Sequence, residues 1–218
     1  VEDRTGERVG PYRILRLVGR GGMGDVFLAE RADGQFDQQV ALKVVRREFA
    51  APALVRRFLR ERQILARLRH PNIAQLLDGG VSASGEPYFV MEFVDGRPIT
   101  AAGVGAPSLE TQIGLWLDAC AAVQYAHRSL VVHRDIKPGN VLVTAEGQVR
   151  LVDFGIATVL DPLVEGTDGA TTLFGPRLLT PAYAAPEQVR GEAVTTATDV
   201  YALGALLYEL LCGQRAVD

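Results

Sequence analysis

Cysteine, net charge and long apolar runs are what this sequence has least of. Cys120 and Cys212 are its two cysteines, far apart and without CxxC spacing, which argues against a disulfide framework or a thiolate metal site. Both stand among apolar residues at helical spacing and read as buried thiols of a reducing compartment. A formal charge of −3 is too small for a nucleic-acid binder or a membrane-surface protein. No apolar run reaches the roughly 20 residues that a membrane span needs. The longest candidate, residues 200–212, is shorter and contains Glu209. Internal repeats and low-complexity segments are missing too. What remains is ordinary globular composition, 48% hydrophobic and 22% charged over 218 residues, enough for one large domain or two small ones.

The patterning changes part-way along the chain. Residues 12–18, 25–30 and 39–45 are rich in apolar and β-branched side chains and are separated by turn-forming residues, so they read as antiparallel strands. Pro52 opens a helical stretch over 53–68, and the His70-Pro71-Asn72 triplet closes it. Strands are expected at 73–77 and 87–93, joined by a Gly/Ser-rich turn, then a hinge at Asp95-Gly96-Arg97-Pro98. Beyond it, an amphipathic helix spans 109–128 and short strand pieces flank the Ala145-Glu146-Gly147 turn. A Gly/Thr-rich stretch of weak periodicity runs from 161 to 179, and a mostly apolar helix begins at Asp199.

Gly19-Arg20-Gly21-Gly22-Met23-Gly24-Asp25-Val26 fits G-x-G-x-x-G-x-V between two strands. Glycines let backbone N–H groups approach a phosphate closely. Dinucleotide-binding turns share the glycine pattern, but they open a helix and none follows here. A flexible hairpin over a phosphate fits better than a Rossmann turn. Lys43 follows on the next strand in Val40-Ala41-Leu42-Lys43. In the helical stretch, Glu61 falls on the same stripe as Phe58, Leu65 and Leu68. A carboxylate on an apolar face demands a cation, and Lys43 is the obvious one.

His133-Arg134-Asp135-Ile136-Lys137-Pro138-Gly139-Asn140 packs cations, an acid and an amide into one short loop. It resembles the HRDxKPxN catalytic loop of the protein kinase superfamily, in the style of bacterial Hanks-type Ser/Thr kinases. Asp153-Phe154-Gly155 resembles the metal-binding DFG of that family, and Ala185-Pro186-Glu187 the motif closing its activation segment. The motifs occur in the order of the family.

The resemblance implies an α+β, two-lobe kinase fold. Residues 12–94 would form an antiparallel, ATP-binding N-lobe with one helix, and 95–218 a mainly helical C-lobe. It implies ATP and Mg²⁺ as cofactors. Asp135 would orient the substrate hydroxyl and accept its proton, and Lys137 would stabilise the transferring phosphoryl group. Asn140 and Asp153 would be metal ligands. Gly19, Gly21, Gly22 and Gly24 would cover the phosphates, and Lys43, held by Glu61, would contact them. Val18, Val26 and Ala41 would enclose adenine from one side and Leu142 from the other. Met91 matches the gatekeeper, and Glu92 to Val94 the hinge. Leu65, Leu76, His133 and Phe154 would stack as an internal spine.

Asp-x-Lys-Pro-x-Asn is the Ser/Thr form of the loop, and Thr180 is expected to hydrogen-bond it; Leu179 departs from the usual glycine of the family. Arg134 resembles the arginine that reads a phosphorylated activation segment, with Thr167, Thr171 and Thr172 as candidate sites. Protein substrates carrying Ser/Thr, a cytoplasmic location and dimerisation for autophosphorylation follow from the same likeness; nucleic acid does not. The family continues for several helices past Asp218, so the chain reads as a C-terminally truncated catalytic domain. In such a fragment Glu187 lacks its usual arginine and part of the 200–211 helix lies exposed. A pseudokinase scaffold and a small-molecule phosphotransferase are the rival classes.

Overall fold

The computed structural model describes residues 3–22, 24–34, 37–46, 63–101, 108–154 and 180–217. Contacts divide the chain into two compact units, Val1–Arg67 with Gln75–Phe93, and Leu68–Ala74 with Val94–Asp218. The Leu68–Ala74 segment therefore belongs with the later part of the chain.

The first unit is built on a six-stranded sheet of β1 (Arg8–Val9), β2 (Tyr12–Arg20), β3 (Gly24–Arg31), β4 (Gln39–Val45), β5 (Leu76–Val81) and β6 (Pro87–Glu92). The order is β1-β2-β3-β4-β6-β5, antiparallel throughout. Alternation of side chains along each strand sorts residues to two faces. One face carries the core: Val9, Tyr12, Ile14, Phe27, Ala29, Val40, Leu42, Val44, Tyr88 and Val90 are all buried together. Each buried aliphatic or aromatic side chain contributes about 1.5–3 kcal/mol, so this face fixes the register. Tyr12 reaches across the unit to donate to Asp78 Oδ2 at 3.1 Å. Burial and that carboxylate push its hydroxyl up to about 12.

The strand expected at residues 73–77 instead begins at Leu76 and runs to Val81. Asp78-Gly79-Gly80 looks like a turn in sequence, but a Cβ at Gly80 would lie 2.8 Å from the Tyr88 hydroxyl on the neighbouring strand. Glycine is there to admit a ring. The turn falls later, at residues 82–86, where Ser82 bonds Glu86 and Gly85 takes φ +83°.

The second unit contains helix α1 (Leu109–Arg128) and a three-stranded sheet, β7 (Gly96–Pro98), β8 (Val141–Thr144) and β9 (Val149–Leu151). It ends with the short helix α2 (Pro186–Arg190) and helix α3 (Thr196–Cys212). Gly96–Pro98, expected as a hinge, is a strand paired with β8. Ile73 makes a parallel bridge to Leu151. Ser108 caps α1 by accepting from the Thr111 N–H. Helix α3 begins before Asp199: Thr195 caps it, accepting from the Ala197 N–H at 3.2 Å. Trp116 of α1 donates to the Leu203 carbonyl of α3 at 3.0 Å.

Both cysteines are free. Cys120 is half-buried, and burial pushes its thiol up to about 11; Cys212, expected inside, is exposed. On α3, Ala202, Leu203, Ala205 and Leu206 are buried, while Val200, Tyr201, Tyr208 and Leu211 are 40–62% exposed. No helix among the described residues is long and apolar enough to cross a membrane.

Candidate active site

In the first unit, strand register assembles the residues read as nucleotide contacts. Val26 lies opposite Lys43 and Ala41 opposite Met91. Cross-strand partners share a face, as do residues two apart on one strand, so Val26, Ala41, Lys43 and Met91 all fall on the face away from the apolar cluster. Gly19 joins that row opposite Val26, and Val18 occupies the bulge between Leu17 and Gly19. Val18 is exposed and Met91 buried. Glu92 pairs with Val40 and donates its N–H to Gln75 O at 2.9 Å.

The glycines of the loop are not equivalent. A Cβ on Gly19 would meet nothing within 4 Å, whereas one on Gly24 would lie 2.2 Å from the Val44 carbonyl oxygen. Gly24 thus permits close approach of β3 and β4. Gly21 donates its N–H to Gly24 O at 2.9 Å, closing the turn around Gly22. Glu61 lies outside the described residues, as do Thr167, Thr171, Thr172 and Leu179.

In the second unit, the loop at 133–140 is held by side chains bonded to backbone. Asp199, 1% exposed, accepts the N–H of His133 at 2.8 Å on Oδ2 and that of Arg134 at 2.8 Å on Oδ1. Its Oδ2 also meets His127 Nε2 at 2.7 Å. His133 Nδ1 accepts the Asp135 N–H at 3.3 Å, so Nε2 is the nitrogen that donates to Val152 O at 3.0 Å. Phe154 packs on the same ring, with centroids 4.6 Å apart.

Arg134 and Asp153 both adopt positive φ, 69° and 62°, a conformation costly for residues other than glycine. Arg134 is held in it by Asp199 at its N–H and by Gln188 Nε2, which donates to its carbonyl at 2.8 Å.

The chemistry-bearing groups converge on Asp135. Lys137 Nζ donates to its Oδ2 at 2.7 Å and Asn140 Nδ2 to the same oxygen at 3.0 Å. Asn140 Nδ2 also bonds the Asp135 carbonyl at 2.7 Å, leaving Oδ1 as the oxygen Asn140 offers to a cation. The Val152 N–H bonds Asn140 O at 2.9 Å, which sets Asp153 next in line. Lys137 Nζ also donates to Thr180 Oγ1 at 3.2 Å, the bond to the loop expected of that threonine. Leu142 follows on β8, half-buried and opposite Arg150.

The order of the motifs has a counterpart in known proteins. The protein kinase domain model matches residues 12–218. The chain belongs to the protein kinase family.

The serine/threonine-protein kinase PknA of Mycobacterium tuberculosis is 40% identical over 213 residues, 94% of this chain and 48% of PknA. The serine/threonine-protein kinase PrkC of Bacillus subtilis is 39% identical over 219 residues, 98% of this chain and 32% of PrkC. The chain therefore spans about half or less of these relatives. The crystal structure of the M. tuberculosis PknI kinase domain superposes with a TM-score of 0.73 at 30% identity, covering 98% of this chain and 77% of that one. The fold is that of protein kinases, in the α+β class.

Three residues of this kinase domain that sequence reasoning passed over carry the loop: Asp199, His127 and Gln188. A signal existed for the first, since a carboxylate amid an apolar helix is anomalous in the way Glu61 is. Glu187 accepts from Thr198 Oγ1 at 2.6 Å, which holds its carboxyl below the usual range; among the described residues no ion pair reaches it. Tyr183 donates to Glu209, and burial together with that carboxylate pushes its hydroxyl up to about 12. Lys43 and Lys137 are the only lysines in the sequence; every other basic side chain apart from histidine is arginine.

Proposed function

We propose that the chain is the catalytic domain of a serine/threonine protein kinase. It transfers the terminal phosphoryl group of ATP to Ser and Thr hydroxyls of proteins, in signal transduction. The observation that carries this reading is the Asp135 cluster: one carboxylate oxygen receiving both Lys137 and Asn140, with Lys137 also on Thr180. Phosphoryl transfer asks for alignment and charge neutralisation more than covalent chemistry, and this cluster supplies both.

Residues 12–94 serve as the nucleotide half and 95–218 as the catalytic half. Val18, Val26, Ala41 and Met91 are the proposed adenine contacts of the first unit and Leu142 that of the second, with backbone of Glu92 and Val94 proposed to bond the edge of the base. Gly19, Gly21, Gly22 and Gly24 cover the phosphates and Lys43, supported by Glu61, contacts them. Asp135 accepts the proton of the substrate hydroxyl while Lys137 offsets negative charge on the group in transit. Members of the family use ATP with a divalent metal generally. Here Asn140 Oδ1 and Asp153 form a hard-oxygen pair that suits Mg²⁺, and such a pair fits a metal that takes most of its shell from phosphate and water. No group of three or more metal-ligating side chains occurs among the described residues. Bound there, Mg²⁺ would neutralise phosphate charge and fix phosphate geometry.

Thr167, Thr171 and Thr172 are proposed autophosphorylation sites, reached through dimerisation and read by Arg134. The location is proposed as cytoplasmic. ATP-dependent labelling of a generic protein substrate tests the reading. Asp135→Asn is expected to lower the rate at least a hundredfold, general-base groups contributing about 10²–10⁴-fold, and to leave 167, 171 and 172 without phosphate by mass spectrometry. Equal labelling by both proteins would refute it.

A further inference from the structure

The peptide plane between Arg134 and Asp135 carries the Cα of the proposed base, so its tilt sets where the Asp135 carboxylate points. Both of its polar ends have side-chain partners. The Asp135 N–H goes to His133 Nδ1 at 3.3 Å, and the Arg134 carbonyl receives Gln188 Nε2 at 2.8 Å. Three other backbone groups of the loop, the N–H of His133 and of Arg134 and the Asp135 carbonyl, rest on Asp199 and Asn140. Gln188 differs from these in origin. It lies on α2, just after the turn that carries Thr180, and its Oε1 accepts the Ala185 N–H at 3.1 Å.

We infer that Gln188 is a positioning residue for Asp135, fixing the Arg134–Asp135 peptide from the segment that also carries Thr180. The inference rests on the kinase reading above for its catalytic consequence, though not for its geometry. Asp135 is then gripped from that one segment twice. Thr180 acts on its carboxylate through Lys137, and Gln188 acts on its backbone. A shift of the Thr180–Gln188 segment would reach the base by both routes. The amide is suited to this as a carboxylate is not: it donates to one carbonyl while accepting from an N–H, with a single side chain.

Two variants separate the arms. Gln188→Glu keeps an acceptor for Ala185 but sets a carboxylate against the Arg134 carbonyl; Gln188→Met keeps the length and loses both bonds. Both are expected to lower kcat about tenfold, a barrier change of about 1.4 kcal/mol. KM for ATP stays unchanged, the thermal midpoint falls by no more than about 5 °C, as loss of a hydrogen bond or two implies, and amide exchange at Arg134 and Asp135 speeds up. If Gln188→Glu behaves as wild type while Gln188→Met does not, the residue merely caps α2 and the inference falls. It falls as well if activity drops only in proportion to the folded fraction. A wild-type chain without transferase activity would instead defeat the kinase reading. Amide exchange then decides the positioning claim by itself: faster exchange in Gln188→Glu upholds it and unchanged exchange overturns it.

Discussion

The candidate residues of the two units are held in place by different means. In the first unit, Val26, Ala41, Lys43 and Met91 share a face because strands pair in register. That register is fixed by a buried cluster on the opposite side of the sheet, and many residues contribute a little each. In the second unit, the Asp135 loop takes its shape from single polar side chains, above all Asp199 with three hydrogen-bond partners. A ladder spreads its support over many bonds, whereas a loop folded around one carboxylate does not. The difference predicts unequal sensitivity to mutation.

The largest effect is expected from Asp199→Ala. It strands two backbone N–H groups and His127, and buried hydrogen bonds to a charged group are worth about 1.5–3 kcal/mol each. Denaturant unfolding should show a loss of about 3 kcal/mol or more, with phosphoryl transfer abolished. A stable, active variant would erase the contrast between the units. Next comes a test inside the glycine loop. Gly24→Ala drives a methyl into the Val44 carbonyl and is expected to cost about 1–3 kcal/mol, as overpacking does. Gly19→Ala meets open space, so its stability should hold while KM for ATP rises. Reversed outcomes would mean that the ladder does not set this loop. The smallest effect belongs to Arg13→Ala, which removes the exposed cross-strand partner of Glu30. A change of about 0.5 kcal/mol or less is expected, vanishing in 1 M salt.

Much of the sheet was legible because its cause is local. The apolar and β-branched run over residues 39–45 gave β4 with both ends right, and the helix expected at 109–128 matched at Leu109–Arg128. Gly79-Gly80 misled, because the ring that Gly80 accommodates comes from Tyr88 on another strand. Gly96–Pro98 misled for a similar reason, its partner β8 lying more than forty residues onward. The proposed catalytic residues stood out as chemistry packed into a short loop. Gln188 gave no such sign, since a polar residue on a short helix is unremarkable until the Arg134 carbonyl appears beside it. The long-range bond is the information, and sequence spacing does not carry it.

The chain also carries a built-in label. Arginine supplies nearly all of its positive charge, and Lys43 and Lys137 stand alone as side-chain amines. Guanidinium groups stay protonated and resist acylation, whereas an ε-amine can be acylated once it loses its proton. Amine-directed reagents, which on most proteins modify the whole surface, therefore find side-chain targets in this sequence only at the two positions where phosphate chemistry is proposed, the α-amine being the other amine they reach. Protection of either amine by a nucleotide would be read as a change in a single peptide, against a background that the composition has already silenced.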